Sequence, residues 1–470
     1  MAAAKTSNSP SKKDQKTNKK NTAKRTRQKQ SPIKRSTVGF EVELFILDKN
    51  GRVVNEADTL LKKVEEKKRN QNSDIVKEHG KNQIEVNSYP GLESVSTLKA
   101  LLDNLKLLLY SAEEEGLVIC PLAMYPGVYT PAMRGGQYKA QEVLFGKKRF
   151  KLSTQTVGFH CHYELPWGVF DKEKLRVKQL VNSKNKESLL RAYNFLIAAD
   201  PALTAFTQSS PFYRGKPLAK DSRIVIIRGG EELSYPNGLY ANLPDFGQLP
   251  SYAHTGTDVI DTIEYRYEKW LKTLREAGVK ENALPKYRSV LNTNWTPVKI
   301  NPHGTMEQRG MDMNHIFVIL AVTELLRIIL RAIQEDYVKV KTSDAAIREP
   351  FKYEKKTIFI PPDSHVRNVL QKQSAYKGFE DEEVWYYAKR LLWLAKLIHK
   401  QADLELLEPL EKMIQDKKTI SDEIIAEAKK LGYSDYKKTM PIDVASEIAL
   451  NHSQRLFQEI VLAEKHISKL

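Results

Sequence analysis

The stretch TVGFEVELFILD, from Thr37 to Asp48, decides the fold that we predict for this chain. Its apolar side chains recur at every second position, which is the period of a β-strand with one buried face. The apolar side of this strand consists of Val38, Phe40, Val42, Leu44 and Ile46. Because successive side chains of a strand point to opposite faces, Glu41 and Glu43 lie together on the other face.

Four further runs alternate in the same way and predict short strands: Asn82–Ser88, Thr156–Leu165, Arg223–Arg228 and Thr305–Arg309. Their polar positions carry chemically active side chains. These are Gln83 and Glu85 in one run, His160, His162 and Glu164 in another, and Thr305, Glu307 and Arg309 in the last. In a basic protein, an ordinary exposed face would also contain Lys, so carboxylates and imidazoles at these in-phase positions indicate a site.

Helical periodicity fills the rest of the chain. We predict helices over Leu98–Glu115, Ser188–Asp200 (broken by Pro201) and Thr262–Ala277, and an almost wholly helical region beyond Met311. Strands followed by helices make an α+β layout. The division that we expect is a disordered basic tail (1–35), a catalytic α+β domain (36–315) and a helical C-terminal part (316–470) packed on it.

The polar strand faces favour a metal site. Side chains at i and i+2 of a strand stand about 6.5 to 7 Å apart, which lets two carboxylates flank divalent cations. Oxygen ligands with one imidazole suit Mg²⁺ or Mn²⁺ beside phosphate. Each Glu alone reads better as an exposed surface residue, and a hydrogen-bonded structural role is the alternative for either His. The pair His160 and His162 also leaves open a Zn²⁺ or Fe²⁺ site.

The absence of three common motifs excludes some types of nucleotide-binding site and of catalysis. The sequence contains no GxxxxGK[ST] loop and no GxGxxG between a strand and a helix, so a nucleotide would not be bound by either device. It also has no GxSxG motif, which argues against acyl-enzyme chemistry. We read Cys161, between the two histidines, as a small buried hydrophobe on the apolar face.

The charge is concentrated at the N-terminus. The chain has 75 Lys and Arg against 58 Asp and Glu, a net charge of +17, and Met1–Arg35 carries 12 of these cations and one Asp. Residues 1–30 contain no Val, Ile, Leu, Phe, Tyr or Trp, so we predict disorder there. A solubilising tail is the interpretation that we favour, with weak contact to an anionic polymer such as RNA or DNA as its alternative.

Composition also bears on the compartment. Hydrophobic residues make up 41% of the chain and the mean hydropathy is −0.50, which excludes a membrane protein and a wholly disordered one. Two cysteines without CxxC spacing fit a reducing compartment. No apolar segment follows the basic N-terminus, so secretion is not indicated. We expect a cytoplasmic protein without membrane association, and the sequence leaves a homo-oligomer open.

Five motifs, in this order, resemble the carboxylate–amine ligases of the glutamate–cysteine ligase family 2 type, within the glutamine-synthetase-like superfamily. The motifs are GFEVELF (Gly39–Phe45), KEHGKNQIEVNS (Lys77–Ser88), VGFHCHYEL (Val157–Leu165), FTQSSPFYRGKPLAKDSR (Phe206–Arg223) and HGTMEQRGMD (His303–Asp312). The resemblance implies a curved antiparallel sheet with helices on one side and a helical C-terminal half. It covers residues 37 to 312.

The resemblance also implies roles for individual residues. The implied metal ligands are Glu41, Glu43, Glu78, Glu85, His160 and Glu307, with His162 nearby. Arg223 and Arg309 would contact phosphate or substrate, and together with Glu307 they form the implied catalytic set. Lys299 joins the two arginines as a nucleotide-binding candidate, although NTNWTPVKIN, with Trp295, departs from the arginine–proline of many relatives. Arg367 in DSHVR is a faint further candidate.

The activity implied is ATP- and Mg²⁺- (or Mn²⁺-) dependent amide formation between the γ-carboxylate of glutamate, or a similar carboxylate, and an amine such as cysteine. The alternatives are a guanidino-kinase-like phosphotransferase on the same scaffold and a catalytically inactive protein associated with nucleic acid. The sequence does not identify the amine.

Overall fold

The computed structural model describes residues 35–67, 74–135, 138–179, 182–399 and 404–467, and Arg35–Leu470 forms one compact unit. All of the predicted tail except Arg35 lies outside the described residues. The predicted boundary between 36–315 and 316–470 stays a prediction. None of the helices in the described part of the chain is long and apolar enough to cross a membrane.

The described residues form strands and helices in mixed order, and a π-helix (Val366–Leu370) lies between α11 and α12. The strands are β1 (Val38–Asp48), β2 (Ile75–Lys77), β3 (Gln83–Asn87), β4 (Leu117–Cys120), β5 (Gly158–Glu164), β6 (Phe170–Asp171), β7 (Arg176–Val177), β8 (Phe212–Tyr213), β9 (Lys216–Pro217), β10 (Val298–Asn301), β11 (Thr305–Asp312), β12 (Lys339–Thr342), β13 (Lys352–Glu354) and β14 (Thr357–Ile360). The helices are α1 (Ala57–Lys67), α2 (Ser94–Glu114), α3 (Lys139–Phe145), α4 (Lys147–Phe150), α5 (Lys184–Thr207), α6 (Ser222–Ile227), α7 (Pro244–Gly247), α8 (Gly256–Glu276), α9 (Ile316–Gln334), α10 (Ala345–Arg348), α11 (Asp363–His365), α12 (Gln371–Lys377), α13 (Glu382–Ile398), α14 (Glu408–Asp416), α15 (Ile420–Lys430) and α16 (Ile442–Ile467).

The central sheet has the order β10-β11-β5-β1-β3-β2, and β4 pairs with the second half of β1; all of these pairings are antiparallel. The apolar side chains of β1 are fully buried, as the period-two pattern predicts. Helices α2, α5 and α9 pack against the sheet. The predicted α+β class is confirmed.

Helix α6 contradicts the predicted strand at Arg223–Arg228. The side chain of Asp221 accepts a hydrogen bond of 2.8 Å from the backbone N–H of Ile224, which caps the helix. The helix ends before Gly229, whose φ of +53° suits a residue without a Cβ. The periodicity of so short an apolar run is compatible with a helix and with a strand. The cap at Asp221 and the glycine after the last turn favour the helix.

Helix α5 contradicts the predicted break at Pro201, because it continues to Thr207. Proline inside a helix costs about 3 kcal/mol through its missing N–H and its steric clash. Every residue from Phe195 to Thr207 is buried, and the hydroxyl of Tyr387 donates to the carbonyl of Ala198 at 2.7 Å. Tertiary packing and this external donor offset the local cost.

The C-terminal part is less helical than predicted. Strands β12, β14 and β13 form a small three-stranded sheet with one parallel and one antiparallel pairing. Each strand has three or four residues, too few to show a period in the sequence. Beyond it, α13 to α16 agree with the predicted helices.

A buried ion pair joins four elements behind the central sheet. Both Nη atoms of Arg228, after α6, donate to Asp200 of α5, at 2.6 and 2.9 Å. Gln308 of β11 donates to Asp200 at 2.8 Å, and Gln371 of α12 accepts from Arg228 at 2.7 Å. The network pairs both charges with side chains of the described chain.

Replacing Asp200 should therefore destabilise the whole unit. Asp200→Ala leaves the Arg228 guanidinium buried without a counter-charge, and we expect a loss of about 3 to 5 kcal/mol in the free energy of unfolding. Chemical denaturation followed by circular dichroism measures this loss. The control is Glu187→Gln, which removes an exposed ion pair with Arg191 on the same helix and should cost less than about 1 kcal/mol. Equal effects of the two changes would contradict the role of the network.

Candidate active site

The register of the central sheet brings the predicted polar residues together. Glu41 on β1 lies opposite His160 on β5, and Glu43 lies opposite Glu85 on β3. Glu307 on β11 lies opposite His162 of β5 on one side and opposite Lys299 of β10 on the other. Residues directly opposite each other in antiparallel strands share a face, so side chains distant in sequence meet on one surface.

This surface is the floor of a cavity of about 220 Å³. We call it the acidic cavity. All six predicted metal ligands and all three predicted phosphate- or nucleotide-binding cations line it, and Trp295 does so as well. Those predicted residues are Glu41, Glu43, Glu78, Glu85, His160, Glu307, Arg223, Arg309 and Lys299. Arg367, the faint candidate, lines a different cavity.

The first group of potential metal ligands surrounds Glu41. The ligand atoms of Glu41, His162 and Glu307 lie within 4.8 Å of one another. Glu41 accepts hydrogen bonds from Nδ1 of His160 at 2.5 Å and from Nε2 of His162 at 3.3 Å. Burial opposes ionisation of Glu41, but these two imidazoles lower its pKa well below the usual value. Glu41 is therefore held as a carboxylate.

His160 and His162 differ in the contacts of their ring nitrogens. Nδ1 of His160 contacts Glu41. Nε2 of the same ring is buried, makes no hydrogen bond among the described residues and lies 3.6 Å from Oε1 of Glu43. Nδ1 of His162 lies 2.9 Å from the hydroxyl of Thr305. A histidine whose other nitrogen is fixed by a carboxylate is a common metal ligand.

The second group consists of Glu43, Glu78 and Glu85, whose ligand atoms also lie within 4.8 Å of one another. Burial and the charge of Glu43 raise the pKa of Glu78 to about 7. Burial and the charges of Glu41 and Glu78 raise the pKa of Glu85 well above its usual value. The carboxylates are crowded enough that their full ionisation calls for a cation.

Glu307 differs from Glu78 and Glu85 in the direction of its pKa shift, because cations lie beside it. Although burial disfavours the charged form, Lys299, Arg309 and His162 lower the pKa of Glu307 to about 2. Nζ of Lys299 lies 3.3 Å from Oε2 of Glu307, and Nη1 of Arg309 lies 3.5 Å from Oε1. Oε2 also accepts from Asn301 at 2.6 Å, whereas the buried Oε1 accepts no hydrogen bond among the described residues.

The two predicted arginines lie close together over the floor. Arg309 lies in the irregular part of the β11–β5 pairing, between Gln308 and Met311, and its backbone N–H donates to the carbonyl of Pro297 at 2.8 Å. Arg223 donates through Nη2 to the backbone carbonyl of Arg309 at 3.4 Å, and its buried Nε has no partner among the described residues. A Cβ on Gly158 would lie 2.2 Å from Nη2 of Arg223, so glycine makes room for this guanidinium.

The donor set fits divalent cations of the Mg²⁺ or Mn²⁺ type. Carboxylate oxygens dominate both groups, and two buried potential ligand atoms, Nε2 of His160 and Oε1 of Glu307, lack hydrogen bonds within the described chain. Cys161 does not join them. Burial raises the pKa of its thiol to about 12, as expected for an inert residue on the apolar face.

The sequence analysis missed several residues of this cavity. Asn301 alternates in phase with Lys299 on β10, and this spacing was a usable signal. His79 is adjacent to Glu78, and burial with the charge of Arg309 lowers its pKa to about 4. Arg228 and Tyr240 also line the cavity, and only the fold brings them there.

A comparison with protein families identifies the chain. The family model described as Glutamate-cysteine ligase family 2 (GCS2) matches residues 37–357. The chain belongs to this family. Membership supports an ATP-dependent carboxylate–amine ligase, and it confirms the resemblance inferred from the five motifs. No curated protein matches the chain in sequence.

Two solved structures resemble this chain to different degrees. A bifunctional glutathione synthetase from Pasteurella multocida is 14% identical, with a TM-score of 0.50, and the match covers 90% of this chain and 53% of that one. The chain thus spans about half the length of that relative. A glutamate–cysteine ligase from Francisella tularensis in complex with AMP is 13% identical with a TM-score of 0.45, covering 92% of this chain and 94% of that one. At 14% identity, the likeness to the Pasteurella multocida enzyme concerns the fold alone.

The two clusters of potential ligands, one around Glu41 and one formed by Glu43, Glu78 and Glu85, predict two separable metal sites. Glu307→Gln and Glu85→Gln each remove a charged oxygen ligand from one group, so each should weaken Mn²⁺ binding to that group at least tenfold. Electron paramagnetic resonance of free Mn²⁺ during a titration measures both binding steps. The matched control is Glu164→Gln on β5, whose carboxylate accepts from Thr37 and does not line the cavity; binding should stay within twofold. Unchanged binding in both variants would contradict the assignment.

Proposed function

We propose that this protein is a glutamate–cysteine ligase-like enzyme that joins the γ-carboxylate of glutamate, or a similar carboxylate, to an amine at the expense of ATP. The observation that carries the proposal is the acidic cavity, in which five carboxylates and two histidines face Arg223, Arg309 and Lys299. An acidic floor under guanidinium groups suits a triphosphate bound through divalent cations. Family membership supports the same reaction class.

The residues allow a mechanism in two steps. The substrate carboxylate attacks the terminal phosphorus of ATP, which forms an acyl phosphate and releases ADP. The amine then attacks the acyl carbon, which forms the amide and releases orthophosphate and a proton. Phosphoryl transfer depends on the positioning of the reactants and on stabilisation of the charge in the transition state, and it requires no protein nucleophile.

Divalent cations held by Glu41, Glu43, Glu78, Glu85, His160 and Glu307 would neutralise phosphate charge when bound. His162 could join this set of ligands, because its ring nitrogen lies within 4.8 Å of ligand atoms of Glu41 and Glu307. The chain's own cations complete the charge balance. Arg223 and Arg309 can each donate two parallel hydrogen bonds to phosphate or carboxylate oxygens, which a lysine cannot do. Lys299 lies against Glu307 and limits the local negative charge.

A product screen tests the proposal. The full chain is incubated with ATP, Mg²⁺, glutamate and each of the twenty amino acids and common polyamines, and products are identified by mass. We expect ADP, orthophosphate and an amide in equal amounts, with cysteine as the first candidate amine. A stable phosphorylated product without orthophosphate would instead identify the phosphotransferase alternative. No ADP with any substrate would refute both activities.

Glu41→Gln should reduce ADP formation at least a hundredfold, because it removes the carboxylate that orients His160 and His162 and serves the first ligand group. Coupled measurement of ADP release gives the rate, and circular dichroism checks the fold. Glu164→Gln serves again as the control and should keep the rate within twofold. Wild-type turnover of Glu41→Gln would refute the role of this residue.

Arg309→Lys should reduce turnover at least tenfold, although it keeps the positive charge, because the bidentate fork is lost. The comparison is Arg275→Lys on α8, where the arginine forms an exposed ion pair with Glu281. Steady-state rates of the two variants decide the point. Equally small losses would mean that Arg309 acts only as a charge.

A further inference from the structure

A second cavity of about 220 Å³ lies apart from the acidic cavity and shares no lining residue with it. Its walls come from the segment 244–253, from α5 and α8, and from Arg367 of the π-helix. Apolar side chains, including Leu249, Pro250 and Val259, make up part of the lining. We call it the Arg266 cavity.

Arg266 on α8 has an unusual environment. The residue is only 7% exposed and lines the cavity, yet its guanidinium forms no hydrogen bond or ion pair with any described residue. Buried arginines are normally paired, because taking an uncompensated charge out of water costs several kcal/mol. The side chain therefore presents an unused set of donors to the cavity.

Two residues that carry hydroxyl groups line the same cavity. Tyr193 on α5 is 6% exposed, and Thr262 lies one turn before Arg266 on the same face of α8. Neither hydroxyl has a hydrogen-bond partner among the described residues. One guanidinium and two hydroxyls thus line a single cavity with their donor capacity unfilled.

The neighbouring acids do not neutralise Arg266. Asp245, which lines the cavity, forms an ion pair with Lys269. Glu232 accepts from Nη2 of Arg367 at 2.5 Å, and Nη1 of Arg367 donates to Ser251 at 2.7 Å. Asp245 and Glu232 thus already have cations of their own, and neither forms an ion pair with Arg266.

We propose that the Arg266 cavity binds a small molecule through a carboxylate or phosphate group. The guanidinium would bind two oxygens of this group as a fork, and the hydroxyls of Tyr193 and Thr262 would donate to it. The apolar walls would contact the rest of a small ligand. This site is separate from the proposed reaction, and its occupancy does not depend on catalysis.

Isothermal titration with inorganic phosphate, and separately with acetate, tests the proposal. The titrations use the full chain carrying Arg309→Gln, so that this arginine of the acidic cavity does not contribute. We expect binding of at least one anion, weakened at least thirtyfold by adding Arg266→Gln and changed less than twofold by adding Arg275→Gln. Which anion binds distinguishes a phosphate from a carboxylate ligand. Binding of neither, or equal binding after Arg266→Gln, overturns the proposal.

Stability measurements separate a ligand-binding role from a structural one. In Tris chloride without added oxyanions, Arg266→Met should leave the denaturation midpoint unchanged or raise it, because it removes an unpaired buried charge. A clear fall of the midpoint would show that Arg266 supports the fold and would overturn the proposal. Tyr193→Phe removes only one donor and should weaken anion binding three- to tenfold, whereas unchanged binding would exclude this hydroxyl from the site.

Discussion

The antiparallel register around β1 is the constraint on which the acidic cavity depends. This strand pairs with β5 along Val38–Val42, with β3 along Glu41–Phe45 and with β4 along Phe45–Asp48. A slip of one residue would turn its glutamates into the core and its apolar side chains toward the cavity. The buried apolar face therefore fixes the position of Glu41 and Glu43 as firmly as it fixes the fold.

The fixed floor divides into two electrostatic environments. Around Glu307, cations lower the carboxyl pKa to about 2, so the group remains ionised at neutral pH. Around Glu78, burial and neighbouring carboxylates raise the pKa to about 7, so part of the population is protonated there. The pKa of the same residue type is thus raised at one place in the cavity and lowered at another, because carboxylates surround Glu78 and cations lie beside Glu307.

The sequence predicts four strands of this floor, β1, β3, β5 and β11, because alternation over five or more residues reports both the strand and its face. It does not predict β10, which has only four residues. It predicts α6 wrongly, because the four apolar residues between Arg223 and Arg228 carry no distinct period and the capping contact of Asp221 favours a helix. The break expected at Pro201 fails because burial of α5 outweighs a local rule. Arg228 and Tyr240 reach the cavity from segments without a motif, and only tertiary structure could reveal them.

Packing beneath the floor of the acidic cavity also determines where Arg309 lies. Gly310 follows Arg309, and a Cβ there would lie 2.3 Å from Nη2 of Arg228 and 2.6 Å from Oδ1 of Asp200. Strand β11 therefore lies directly against the buried ion pair at the point where its pairing with β5 becomes irregular. An irregular strand alone would leave Arg309 free to shift, since a bulge interrupts the ladder. The packed ion pair and the hydrogen bond to the carbonyl of Pro297 hold its backbone. A stability element of the core therefore also determines the position of the Arg309 guanidinium, which we propose binds phosphate.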